Sequence, residues 1–130
     1  GKIDGAYQCP ALQINATSAY SATSNDRTDS LTLNAAITPK GDDLGKQMNI
    51  YTWAIAPDGR SFMKTGNEWG ILTEPRNPTF SATLRNSVAV LIVGSLDLRS
   101  LVGTQAYVGY GVNEKDMLDN ARYGLVYTVK

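Results

Sequence analysis

The sequence predicts an all-β fold: a single antiparallel β-sandwich, Ig-like or jelly-roll-like, with one short helical turn near residues 113–120. Three observations predict it. Many short segments alternate apolar and polar residues with the period of two that a pleated strand imposes. Turn pairs such as Asp58-Gly59 separate them. Only the stretch from Asn113 to Asn120 has helical spacing, with Asn113 suited to cap it and Glu114, Met117 and Leu118 on one turn.

The strands follow in order. Leu31, Leu33, Ala35 and Ile37 share one face of the first strong segment. Asn49 to Ile55 is rich in aromatic and β-branched residues, and Tyr51, Trp53 and Ile55 share a face there, with Trp53 expected in the core. Pro57-Asp58-Gly59 turns the chain into a return strand, Arg60 to Lys64, and Gly66-Asn67 turns it again toward Trp69–Leu72. Glu74 to Pro78 carries two prolines and reads as a loop or edge segment. Phe80–Leu84 and Ser87–Val93 are the next strands. Ser95 to Gly103 reads as an irregular turn with Leu96, Leu98 and Leu101 tucked inward. Ala106 to Gly111 is a strand with permissive glycines, and Tyr123, Leu125, Tyr127 and Val129 alternate through the last one.

The N-terminal part differs. Residues 18–30 are almost wholly small and polar and read as a linker or loop. Before them, residues 1–17 form a separate segment in which Leu12, Ile14 and Ala16 alternate with Gln13, Asn15 and Thr17. That pattern predicts an extra or exchanged strand. The sandwich proper is assigned to residues 31–130. The chain opens on Gly1 rather than Met, which is expected of a processed product.

Composition removes several function classes. The chain has 130 residues, 42% hydrophobic and 18% charged, enough for one domain with a core of its own. Twelve basic residues balance twelve acidic ones and are scattered, so no stripe follows a nucleic-acid backbone. No stretch reaches the roughly 18 apolar residues of a membrane helix, and membrane insertion is not expected. There is no histidine, which removes triads and dyads that use imidazole as base. Ser61 and Lys64 lie on opposite faces of their predicted strand and do not form a dyad. The single cysteine, Cys9, cannot close an internal disulfide. It reads as a free thiol, with an intermolecular disulfide as the alternative.

The last third carries a distinctive run of residues: Asp97-Leu98, Leu101-Val102-Gly103-Thr104, Tyr107-Val108-Gly109-Tyr110-Gly111, Asp116-Met117-Leu118, and Arg122-Tyr123 with Val126-Tyr127-Thr128-Val129. Asp43-Leu44-Gly45, Pro57-Asp58-Gly59 and Trp69 precede it in the same order. Over about 100 residues the chain resembles a bacterial module associated with the C-terminal ends of large secreted or cell-surface proteins. The resemblance implies export, a β-rich fold and a modular role. It implies no catalytic residues.

The expected function is therefore a non-catalytic extracellular module for protein–protein association or surface assembly, with a filament or pilus subunit as its sharpest form. A protein partner or self-association is expected, and Leu12, Ile14 and Ala16 are its candidate assembly strand. The alternative is a carbohydrate-binding module from a secreted enzyme, with Trp69, Tyr51 and Tyr110 as an aromatic platform for a glycan. No cofactor is required. Asn113, Glu114, Asp116 and Asp119 are the densest group of oxygen ligands and the candidate calcium site, although EF-hand spacing is absent and a capped polar turn is the plainer reading.

Overall fold

The computed structural model describes residues 19–130. Leu12, Ile14, Ala16 and Cys9 lie outside the described residues. The fold is an all-β sandwich of two antiparallel sheets. Its elements are β1 (Tyr20–Ser24), β2 (Leu31–Ile37), β3 (Gln47–Ile55), β4 (Ser61–Thr65), β5 (Glu68–Ile71), β6 (Phe80–Thr83), β7 (Val88–Leu96), β8 (Gln105–Gly111), α1 (Glu114–Asp119) and β9 (Tyr123–Thr128). One sheet has three strands in the order β1-β2-β7. The other has six, in the order β9-β8-β3-β4-β5, with β6 also paired to β3.

The sandwich interior forms where the alternating faces meet. Leu31, Leu33, Ala35 and Ile37 all point inward from β2, as their spacing requires. They meet Met48 and Ile50 of β3, Val88, Val90 and Ile92 of β7, and Ala106, Val108 and Tyr110 of β8. Leu31, Ile37 and Ile50 are wholly buried, each stabilising the fold by roughly 1.5–3 kcal/mol relative to exposure.

β3 is buried on both faces. Tyr51, Trp53 and Ile55 do share a face, but it is the outer face of the six-stranded sheet. A second apolar cluster of Tyr51, Trp53, Met63 and Met117 lies there. Trp53 stacks on Tyr107 with ring centroids 5.5 Å apart, and the guanidinium of Arg76 sits 4.9 Å above its ring. Trp53 is thus buried, but in this second cluster rather than between the sheets.

Three expectations change. The stretch 18–30 is not simply a linker: Tyr20–Ser24 pairs along its length with β2, from Tyr20 opposite Ile37 to Ser24 opposite Leu33. Small and polar residues serve there because only one face of this strand meets the core, through Tyr20 and Ala22. The Tyr20 ring also lies where a Cβ at Gly124 would stand, at 2.8 Å, which joins β1 to β9 across the two sheets. Next, β7 runs on to Leu96, so Leu96 is a strand residue and 45% exposed rather than tucked inward. Leu98 is buried and Leu101 half-buried, as expected. Last, the alternation of β9 is broken. Ala106 pairs with Tyr127 but Tyr107 with Leu125, so Val126 is the extra residue of a bulge. Tyr123 and Leu125 remain partly exposed, while both Val126 and Tyr127 pack on the core.

Gly109 marks the closest approach of β8 to its cover. A Cβ there would lie 2.6 Å from Met117 Sδ and 2.7 Å from the Arg122 carbonyl. Gly109→Ala is therefore expected to lower stability by about 1–3 kcal/mol, because backbone must shift to admit the methyl group. Gly41→Ala, where nothing lies within 4 Å, is the control and should stay within about 0.5 kcal/mol. Urea unfolding of both variants checks the contrast, and equal effects would contradict it.

Candidate functional site

Two places in the molecule gather chemistry. The first is a polar corner built by β8, α1, β9 and the loop before β3. Asp43, 3% exposed, is its centre. The Tyr110 hydroxyl donates to Asp43 Oδ2 at 3.1 Å and accepts from the Lys40 N–H at 3.1 Å. The Arg122 guanidinium completes the charge balance, with Nε 3.4 Å from Asp43 Oδ2. That Nε makes no hydrogen bond, whereas Nη2 of the same guanidinium donates to Asp43 Oδ1 at 3.5 Å. The same guanidinium donates through Nη1 to Asp116 Oδ2 at 2.8 Å. Lys46 stands 3.7 Å from Asp43 Oδ1 and is largely exposed.

This corner decides the fate of the acidic cluster. Asn113 caps α1 by accepting from the Asp116 N–H at 2.8 Å. Glu114 accepts from Arg76 through its N–H at 2.6 Å and its Nη1 at 2.9 Å, fastening the 73–79 loop to the helix. Asp116 accepts from the Val112 N–H, Asn120 and Arg122, and Asp119 pairs with Lys115. These oxygens serve as caps and ion pairs, which is the capped polar turn of the plainer reading. Among the described residues no group of three or more acidic, cysteine or histidine side chains could hold a metal ion.

The aromatic platform does not assemble either. Tyr51 is buried on the outer face of the six-stranded sheet, while Tyr110 is buried on the inner face beside Asp43. Trp69 turns inward from β5 and donates its indole N–H to the Ile92 carbonyl at 2.9 Å. The three rings share no exposed strip. Sequence spacing missed this because exposure depends on which layer covers each face.

The second place is the seam between β5 and β7. Among the described residues each of these strands has one hydrogen-bonded neighbour and a free edge. Behind them opens a cavity of about 350 Å³, lined by Leu33, Trp69, Ile92, Leu98 and Val129 among others, with Thr104 as its hydroxyl-bearing wall. Its outermost lining side chains are Ile71, 78% exposed, and Leu96. The upper part of the seam is closed by side chains. Trp69 reaches Ile92 as above, and the buried Lys64 donates to the Leu91 carbonyl. Burial pushes the Lys64 ammonium below its ordinary pKa. Lys64 and Ser61 face opposite sides, as their spacing predicts.

The fold and these two places define an all-β sandwich with one sealed flank and one open flank. Compared with protein-family models, curated proteins and solved structures, the chain matches none of them. No helix among the described residues is long and apolar enough to cross a membrane.

The polar corner yields two expectations. Arg122→Met leaves the Asp43 carboxylate buried without its main counter-charge, a change that typically costs about 3–5 kcal/mol. The lower end is expected because Lys46 remains close, and a loss under about 1 kcal/mol in chemical unfolding would refute the assignment. The second concerns alkali. Burial pushes the phenols of both Tyr110 and Tyr20 up from 10.0, and the neighbouring Asp43 carboxylate adds to each shift. The folded state thus holds protons that the unfolded chain releases. The stability they contribute is full below pH 10 and falls as pH rises through the folded values. Tyr110→Phe should flatten the decline measured by urea unfolding between pH 9 and 11, whereas an unchanged slope would exclude Tyr110 from it.

Proposed function

We propose that this chain is a non-catalytic association module that binds another protein through the open flank between β5 and β7. The observation that carries this reading is an apolar cavity of about 350 Å³ opening between β5 and β7, two edges beside which no further strand pairs among the described residues, with Ile71 78% exposed at its mouth. A free edge offers unpaired backbone N–H and C=O groups, and an adjoining apolar trough accepts alternate side chains. Together they suit an extended segment of protein.

The resemblance of the last third supports a modular role on the outside of a bacterial cell. Its residues also explain themselves structurally. Asp43, Tyr110, Gly109, Gly111, Asp116, Met117 and Arg122 meet at the polar corner, where they hold α1 and β9 against β8. A motif that builds a scaffold, with no acid, base or nucleophile set apart, fits a binding module better than an enzyme.

Self-association is the form of this function most directly measured. Sedimentation velocity of the full chain from about 1 to 200 µM is expected to reveal concentration-dependent oligomers. Ile71→Asp, an exposed position, should abolish them while leaving the fold intact by circular dichroism. A monomer across the whole range, or oligomers indifferent to Ile71→Asp, would reject the open flank as the self-association surface. Recovery of the protein only from the cytoplasm of its source cells would reject the extracellular part of the reading.

A further inference from the structure

We infer that the open flank is an acceptor for residues 12–17 of a second copy of this chain, added as a strand to the free edge of β5. The inference rests on the association reading above and names its partner.

The edge of β5 is the suitable one. Its pairing with β4 is regular, from Thr65 opposite Glu68 to Phe62 opposite Ile71. The Leu72 N–H donates back to the Ser61 carbonyl at 3.1 Å. Backbone groups of an antiparallel strand alternate in direction, so Trp69 and Ile71 turn theirs toward the free side. β7 is unsuitable. Its register against β2 slips twice, so that Leu33 pairs with Val93, Asn34 with Leu91 and Leu31 with Leu96. Ser95 adopts a φ of 53° at the second slip. Bulges of this kind spoil an edge for pairing. An added strand would thus extend the six-stranded sheet and lay one face over the cavity, against Leu96 and Leu98.

The chain contains a segment of that shape. In Leu12-Gln13-Ile14-Asn15-Ala16-Thr17, the apolar residues fall on one side and the polar ones on the other. Six extended residues span about 20 Å. Leu12, Ile14 and Ala16 would fill the apolar mouth, while Gln13, Asn15 and Thr17 would face solvent.

Reach assigns the segment to another copy. Tyr20 pairs opposite Ile37, which pairs opposite Val88, whereas the cavity lies at the level of Leu33 and Val93. That offset is four residues, about 13 Å along the strands. Crossing from β1 to β7 adds about 10 Å, and passing to the other sheet adds about 10 Å more. The direct distance is therefore about 19 Å. Three residues from Thr17 to Tyr20 span at most about 11 Å. Chain of that length falls short of the acceptor on its own subunit, which is why the donor is assigned to a neighbouring copy.

The test uses the full chain with Cys9→Ser as background. One population carries Asn15→Cys, and the other carries Gly70→Cys, an exposed position with open space for a side chain. Mixed and mildly oxidised, the two are expected to form a heterodimeric disulfide at least ten-fold faster than either population crosslinks with itself. In parallel, Ile14→Asp should abolish the oligomers seen by sedimentation, and native mass spectrometry should show dimers or longer chains without added small-molecule mass. Three results would overturn the inference: no heterodimeric crosslink, a heterodimeric crosslink no faster than either population's own, or a small apolar molecule bound in the cavity of a monomer. Oligomers lost in Ile71→Asp but retained in Ile14→Asp would sink the donor strand while leaving the association reading standing.

Discussion

A three-stranded sheet cannot cover a six-stranded one. Strands lie about 4.8 Å apart, so β1-β2-β7 spans about 10 Å and the five-strand path β9-β8-β3-β4-β5 about 19 Å. The mismatch governs what each flank can do. At β9 the sheets meet: the Tyr20 ring packs over Gly124, and the Ser24 and Tyr127 hydroxyls lie 3.4 Å apart. The shortfall therefore accumulates at the opposite side, where β4 and β5 extend beyond β7. The cavity is the space under that overhang.

The outer face of the large sheet presents the complementary problem. β3 is aromatic on that face and needs a cover the small sheet cannot provide. The 73–79 loop and α1 supply it, placing Arg76 over Trp53 and Met117 into the second cluster. Neither cover is heavy, so its position depends on polar anchors. Glu114 holds Arg76, and Asp116 and Asp43 share Arg122. A buried ion pair contributes little net stability over an apolar substitute, but it is costly to leave half-made. It penalises wrong arrangements, in which Asp43 would be buried without Arg122. The corner's charges thus fix which loop lies against which strand, while apolar burial supplies most of the energy.

Much of this was legible in the sequence, and the remainder was hidden for physical reasons. The inward face of β2 was legible because period-two alternation on a half-buried strand has one solution. The α1 turn was legible because Asn113 announces its cap. β1 was hidden because an edge strand with one face on the core needs few large side chains, and Tyr20 and Ala22 suffice. The bulge at Val126 was hidden because a run of Leu125, Val126 and Tyr127 satisfies either phase of the alternation. Trp53 could be read as buried, but its layer could not, since both faces of β3 are covered. The acidic cluster left a cation site open beside the capped turn because composition does not reveal that Arg76, Lys115 and Arg122 arrive to neutralise it. The open flank left only a faint trace, a lone Lys64 within an otherwise ordinary strand.

Lys64 also explains why the flank divides into two halves. An inward-pointing charge near a sheet edge is a recognised obstacle to strand addition, because an incoming strand would have to displace it or bury it unpaired. Lys64 donates to the Leu91 carbonyl, and burial already disfavours its charged form. With Trp69, it satisfies two backbone carbonyls of β7, those of Leu91 and Ile92. The upper seam is thus guarded at some electrostatic cost. The lower seam has no such guard: its edge residues are Gly70, Ile71, Gly94, Ser95 and Leu96, all exposed and uncharged. The fold thus blocks half of this edge and leaves apolar side chains around the other half, and the proposed docking surface rests on that asymmetry.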